Sequence, residues 1–352
     1  MNNNRIHWID IVRGICIFCV VLTHVETCPD SFRWFFSPYY MPMFFFLSGV
    51  VYKPSSNVAV AILQPITKIL WPYVISAVIF AFGSLGWIRA LLDADYSEAL
   101  NILFHNAIVK PISGKVLWFL ASLFIVQMLG VILLSVFNLR KRYLTIITFL
   151  CFMYIFCLNG QEIAPWSANT ALLALGYFLL GFLLKDKLRA INLLGSKRLI
   201  GPIVLLVYFV ILYVVNTSVV EPLGFDMHCN RFSSNPIWFL CLSLMGIFSV
   251  CIFAMSIGRC KTLEYIGASS LIVYIYHGYS GFFTRHLLGL FAISRDTMAH
   301  SVYTLLFAVS SMVIVAGIIW VINNYFLILI GRGSTIKQIQ SHLIKDIKTS
   351  NR

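Results

Sequence analysis

The sequence predicts an all-α, polytopic integral membrane protein of about ten transmembrane helices with both termini cytoplasmic. The first reason is composition: 60% of the 352 residues are hydrophobic and only 11% are charged. With a mean hydropathy of +0.87 the chain lies well outside the range of a soluble domain. The second is the run of apolar windows long enough to span, at about 9–26, 36–52, 66–88, 116–137, 143–159, 167–184, 199–217, 236–256, 265–290 and 301–330. The windows 36–52 and 143–159 are short enough to be tilted or partly re-entrant.

The third reason is charge placement. With the N-terminus inside, Arg13 lies in the membrane and Arg33, Arg89, Lys110, Lys115, Arg231, Arg285 and Arg295 lie outside, which leaves 18 of the 26 Lys and Arg in the cytoplasm. Positive-inside is well satisfied. Of the acidic residues only Asp186, Glu264 and Asp346 fall inside. The net charge of +13 therefore reports orientation and contact with anionic lipid, not nucleic-acid binding. We expect a multi-pass protein of the plasma (inner) membrane, forming one integral domain over 1–352 with spans from about 9 to 330 and a cytoplasmic tail at 331–352. Residues 1–8 are too polar and short for a cleavable signal peptide. The outer loop 89–115 has room for a short amphipathic helix.

Taken in chain order, the spans differ in polar content. The first carries Asp10, Arg13 and His24 in an otherwise apolar stretch. Each such group costs on the order of 3 kcal/mol at membrane depth, so it faces a protein interior. Eleven residues separate Arg13 from His24, roughly three turns, so they share one helix face about 16 Å apart along the axis. Asp10, one turn below, can pair with Arg13. The second span opens Tyr40-Met41-Pro42 and carries Ser48-Gly49, ordinary packing chemistry. The third places Lys68 at the cytoplasmic interface beside Pro72, where a snorkelling lysine is also expected. The fourth opens Leu117-Trp118-Phe119-Leu120 at the outer interface. The ninth holds Ser269 and, about twelve residues and some 18 Å in from its cytoplasmic start, His277 at a level comparable with His24.

Of nine cysteines, six fall in spans as small packing residues, with no metal-ligand spacing. No metal is expected. Cys28 and Cys229 fall in outer loops, where an oxidising compartment allows a disulfide; spacing leaves their pairing open.

In order along residues 10 to 277 stand Asp-x-x-Arg-Gly with Arg-x10-His, Met-Pro-x-Phe-Phe-x-x-Ser-Gly, Lys-x-x-x-Pro-Tyr, Leu-Trp-Phe-Leu, Leu-Gly-Tyr-Phe-Leu-Leu-Gly (175–181) and Gly-x-x-Ser-x-x-x-Tyr-x-x-His. This pattern resembles acyltransferase family 3, and within it the fucose-acetylase type of O-acetyltransferase. The resemblance implies transfer of an acyl group, usually acetyl from cytosolic acetyl-CoA, to a hydroxyl of an extracytoplasmic or lipid-linked glycan. The family's Arg-x10-His falls on Arg13 and His24, with His24 as the catalytic residue and Asp10 and His277 as further candidates. The paired basic residues of the third span, thought to meet the donor, are here reduced to Lys68; the basic loop Arg140, Lys141 and Arg142 and Ser269 of the ninth span are the other candidate donor contacts.

The residue types suit that chemistry. A histidine can act as general base toward a sugar hydroxyl, a polar group can stabilise the oxyanion, and cationic loops can meet the phosphates of CoA. A pantetheine arm running along the Arg13 to His24 stripe would present the thioester near His24. Two other readings stand beside this one. A proton-coupled transporter of a small anionic solute also needs intramembrane Asp, Arg and His. A non-catalytic partner of polysaccharide assembly would keep the scaffold alone. The acyl group, the acceptor sugar and the oligomeric state are not legible from the sequence.

Overall fold

A computed structural model describes residues 6–110, 117–191, 193–218, 224–291, 293 and 299–333. The tail beyond 333, expected in the cytoplasm, lies outside the described residues. Helices dominate: α1 (His7–Thr23), α2 (Asp30–Phe36), α3 (Tyr40–Val51), α4 (Val58–Phe82), α5 (Leu85–Leu92), α6 (Tyr96–Phe104), α7 (Trp118–Val136), α8 (Lys141–Leu158), α9 (Pro165–Ala190), α10 (Ile200–Ser218), α11 (Pro236–Ile257), α12 (Lys261–Ala268), α13 (Ser270–Leu290) and α14 (His300–Tyr325). The sheet among the described residues is a two-residue antiparallel ribbon, Phe225–Asp226 against Arg231–Phe232.

Among the described residues, seven helices are long and apolar enough to cross a membrane: α4, α7 to α11 and α14. The three remaining windows also hold helices, but different ones from those expected. At 17 residues, α1 is about 25 Å long, short of the roughly 30 Å of a hydrocarbon core, and α3 has 12 residues. The window 265–290 is not one helix. It breaks at Ser269, whose N–H donates to the Ile266 carbonyl while its own carbonyl starts α13.

The third window is displaced as well. Asn57 caps the start of its helix by accepting from the Val60 N–H at 3.2 Å, so α4 begins at Val58, and it ends at Phe82 with Gly83 as its C-cap. Lys68 therefore sits eleven residues into α4 instead of at its first turn. Pro72 has no N–H for the carbonyl four residues back, that of Lys68, and the ladder there widens to a π turn over Ile66–Leu70. Of the loop read as 89–115, α6 is the short helix expected there, started by an Asp95 cap, while α5, started by a Ser84 cap, begins within the window read as the third span.

The chain divides into two compact units. The first comprises Met1–Val51, Gly181–Met227 and Arg231–Val321. Its spine is α1, buried along almost its whole length, with α12 lying directly against it. That approach needs glycine: a Cβ on Gly14 would strike the Leu263 carbonyl, and one on Gly267 the Asp10 carbonyl. At the base, Glu264 accepts from the His7 ring at 2.8 Å and from the Cys260 N–H at 3.2 Å, and Arg259 lies 3.5 Å away. Burial alone would raise the Glu264 pKa; the His7 and Cys260 hydrogen bonds and the neighbouring positive charges hold it below its ordinary value. At the other end, Leu22, Val25 and Cys28 pack with Leu288, Tyr303, Phe307 and Ala308, which ties α1 to α13 and α14.

The second unit comprises Tyr52–Leu180, His228–Asn230 and Ile322–Arg352. Gly130 of α7 packs on the Phe178 ring, and Gly176 on Phe152 of α8. The buried Asn230 side chain accepts from Thr170 at 2.7 Å and donates to the Gln161 carbonyl at 3.2 Å. Neither Cys28 nor Cys229 forms a disulfide.

Candidate active site

Asp10, Arg13, His24, Ser269 and His277 all lie in the first unit. Because α1 runs unbroken to Thr23 and His24 follows as its αR cap, the axial separation of Arg13 and His24 stays near the expected 16 Å. Asp10 is buried, Arg13 is 28% exposed, and their nearest charged atoms are 3.8 Å apart, an ion pair longer than a hydrogen bond.

The opposite end of the stripe holds two imidazoles in contact. The rings of His24 and His277 meet edge to face, centroids 4.9 Å apart at 74°. His24 is exposed and His277 half-buried. Each ring has its Nδ1 on a backbone carbonyl of its own helix, His24 on Val20 at 2.7 Å and His277 on Tyr274 at 2.8 Å. A carbonyl can only accept, so each Nδ1 carries the hydrogen, and in the neutral ring Nε2 is the nitrogen with a lone pair. That fixes tautomer and orientation together, as a general base requires.

Polar side chains gather at the same end. Thr23 donates to the Cys19 carbonyl at 2.9 Å and reaches the Tyr40 hydroxyl at 3.5 Å. Glu26 pairs with Arg285 at 2.9 Å with both side chains well exposed, so it serves a wet rim and not the His24 ring. Thr27 meets Thr304 at 3.0 Å. Tyr40 was not among the sequence candidates, although the Tyr-Met-Pro start of its helix was the available signal.

The donor candidates are distributed. Ser269 is buried in the link between α12 and α13, on the helix pair that carries His277. Lys68 and the Arg140 to Arg142 loop belong to the second unit. Arg140 caps α8 and is followed by Lys141 and Arg142, three exposed cations at a helix N-terminus, where the dipole disfavours them. Their placement thus does not serve the helix. Arg142 bonds the Tyr143 hydroxyl at 2.7 Å and covers its ring. The residue beside Lys68 is Arg332, which the sequence reading counted only toward the charge of the cytoplasmic side. Their separation along the chain hides the pairing from any spacing argument.

Compared with known proteins, the chain is matched over residues 6–323 by the family profile of acyltransferase family 3, described as an acyltransferase domain. No curated protein and no solved structure matches it.

Proposed function

The chain belongs to acyltransferase family 3, and on that premise we propose that it moves an acyl group, acetyl as the expected one, from cytoplasmic acyl-CoA to a hydroxyl of an extracytoplasmic or lipid-linked glycan. The observation that carries this reading is the His24–His277 contact, 4.9 Å between ring centroids, with both Nδ1 atoms held on carbonyls. In the proposed reaction His24 Nε2 takes the proton of the acceptor hydroxyl. The oxygen attacks the thioester carbon, the C–S bond breaks, and the imidazolium returns the proton to the departing CoA sulfur, giving an ester and free CoA. His277, against the same ring with its Nδ1–H held on the Tyr274 carbonyl, offers its Nε2 lone pair as an acceptor to the His24 ring in its charged form. Arg13 and Asp10 keep the inner end of the stripe polar at one paired site.

The reading extends to a multi-pass protein of the plasma (inner) membrane with both termini in the cytoplasm, so that CoA arrives on the basic side. The test is acetyl-CoA consumption by the purified full chain, read as thiol release. It is paired with mass spectrometry of surface glycans from cells carrying the wild type or His24→Ala. An acyl mass present with the wild type and missing with the variant supports the reading. Glycans that are identical in the two, together with no acetyl-CoA consumption by the wild-type chain, overturn it.

A further inference from the structure

We infer that Lys68 and Arg332 form a two-cation site for the phosphate groups of the acyl donor, with Arg332 supplied from the far end of the chain. The inference rests on the acyltransferase reading and adds a residue that no motif points to. Three backbone features hold the two together. The Trp71 indole, one turn beyond Lys68, donates its Nε1–H to the Ile328 carbonyl at 2.9 Å. The turn Leu327–Ile330 ends at Gly331 with φ +66, a left-handed conformation that favours glycine. A Cβ at Gly331 would strike the Thr67 carbonyl and stand 3.4 Å from the Lys68 Cα. Arg332 follows immediately, its N–H on the Leu327 carbonyl at 3.0 Å.

The electrostatics then point to an anion. Lys68 and Arg332 are close enough for one charge to act on the other, and both side chains are exposed. Among the described residues no carboxylate pairs with either. Like charges held together on ordered backbone repel unless a counter-ion is bound. A phosphate reverses the sign of the arrangement, taking a bidentate fork from the guanidinium and a point charge from the ammonium. Arg332 also follows α14, the helix that ends on the cytoplasmic side in the proposed orientation, which is where CoA is found. An anionic lipid headgroup offers the same phosphate chemistry from a different source.

The experiment uses the full chain in nanodiscs and reads binding of CoA, which carries phosphates but no acyl group, alongside kinetics with acetyl-CoA and with acetyl-pantetheine, which lacks phosphates. We expect Lys68→Gln and Arg332→Gln each to weaken CoA binding about tenfold. Both should raise the KM for acetyl-CoA by a similar factor with little change in kcat, and leave the KM for acetyl-pantetheine unchanged. Arg332→Lys should recover part of the loss. CoA binding indifferent to both positions overturns the site even if the wild type transfers acetyl groups. CoA binding by the wild type without acyl transfer overturns the reaction and leaves the site standing. If the variants alter only the response to phosphatidylglycerol in otherwise phosphatidylcholine discs, the site belongs to lipid and the donor assignment falls.

Discussion

His24 and His277 come from helices that neither follow one another nor share a motif, yet their rings meet at 4.9 Å, each with its Nδ1 tied to its own helix. Neither ring can turn to offer Nδ1 without breaking that bond. The pair therefore presents Nε2 atoms in a fixed arrangement, and its removal should show in catalysis more than in folding.

His24→Ala should fold and insert, since the side chain is exposed and the lost bond is to its own helix. Turnover should drop by roughly 10² to 10⁴-fold, the usual contribution of a positioned base. His277→Ala should give an intermediate loss. An imidazole base is lost as it protonates, so wild-type activity should fall on the acid side and that limb should vanish from any residual His24→Ala rate. Near-wild-type transfer by His24→Ala across the pH range would falsify the proposed base.

Breaking the Asp10–Arg13 pair should act on stability first. Either Asp10→Asn or Arg13→Gln alone leaves a charge without its 3.8 Å neighbour at a site where Arg13 is 28% exposed. The expected cost is about 2 kcal/mol, below that of a fully buried pair. The double variant should regain insertion and thermal stability in detergent without regaining activity. Activity restored along with stability would reduce both residues to a structural role.

Gly267→Ala places a methyl group against the Asp10 carbonyl, and the obstructing atoms are backbone, which cannot rotate aside. The helices α1 and α12 must separate, at about 1 to 3 kcal/mol. A melting temperature unchanged from wild type would show that this contact is looser than the geometry states.

Glu264 holds the base of the same helix pair. Its folded pKa is lowered, so the stability it adds is present above the ordinary value of 4.5 and is lost as pH falls through the folded pKa. Glu264→Gln should cost about 1 kcal/mol at neutral pH and little in acid, where the wild type has lost the charge too. Equal destabilisation at both ends of the pH range would point to shape and not charge.

Cysteine labelling should place the described part of the loop 89–110 outside, and residues 185–191 and the end of α14 inside. This follows from the 18 cytoplasmic positions among the 26 basic residues. Termini found on opposite faces would mean that one of the short helices, α1 or α3, does not cross.

The stripe of Asp10, Arg13 and His24 was legible because α-helical period is local: three and eleven residues apart on one unbroken helix fix a face without reference to anything else. Apolar windows and charge bias are equally local sums, so the membrane class and the rough positions of the helices came with them. Boundaries did not, because Asn57 and Ser269 set them through capping and a chain break that hydropathy averages away. His277 was expected at the depth of His24; that the two rings touch was decided by the packing of Leu22 and Val25 with Leu288, Tyr303 and Phe307. The same holds for Gly267 on Asp10 and for Arg332 beside Lys68. A contact between distant segments depends on how whole helices pack, and packing is a property of shape summed over many side chains, which leaves no period or spacing in the sequence to read.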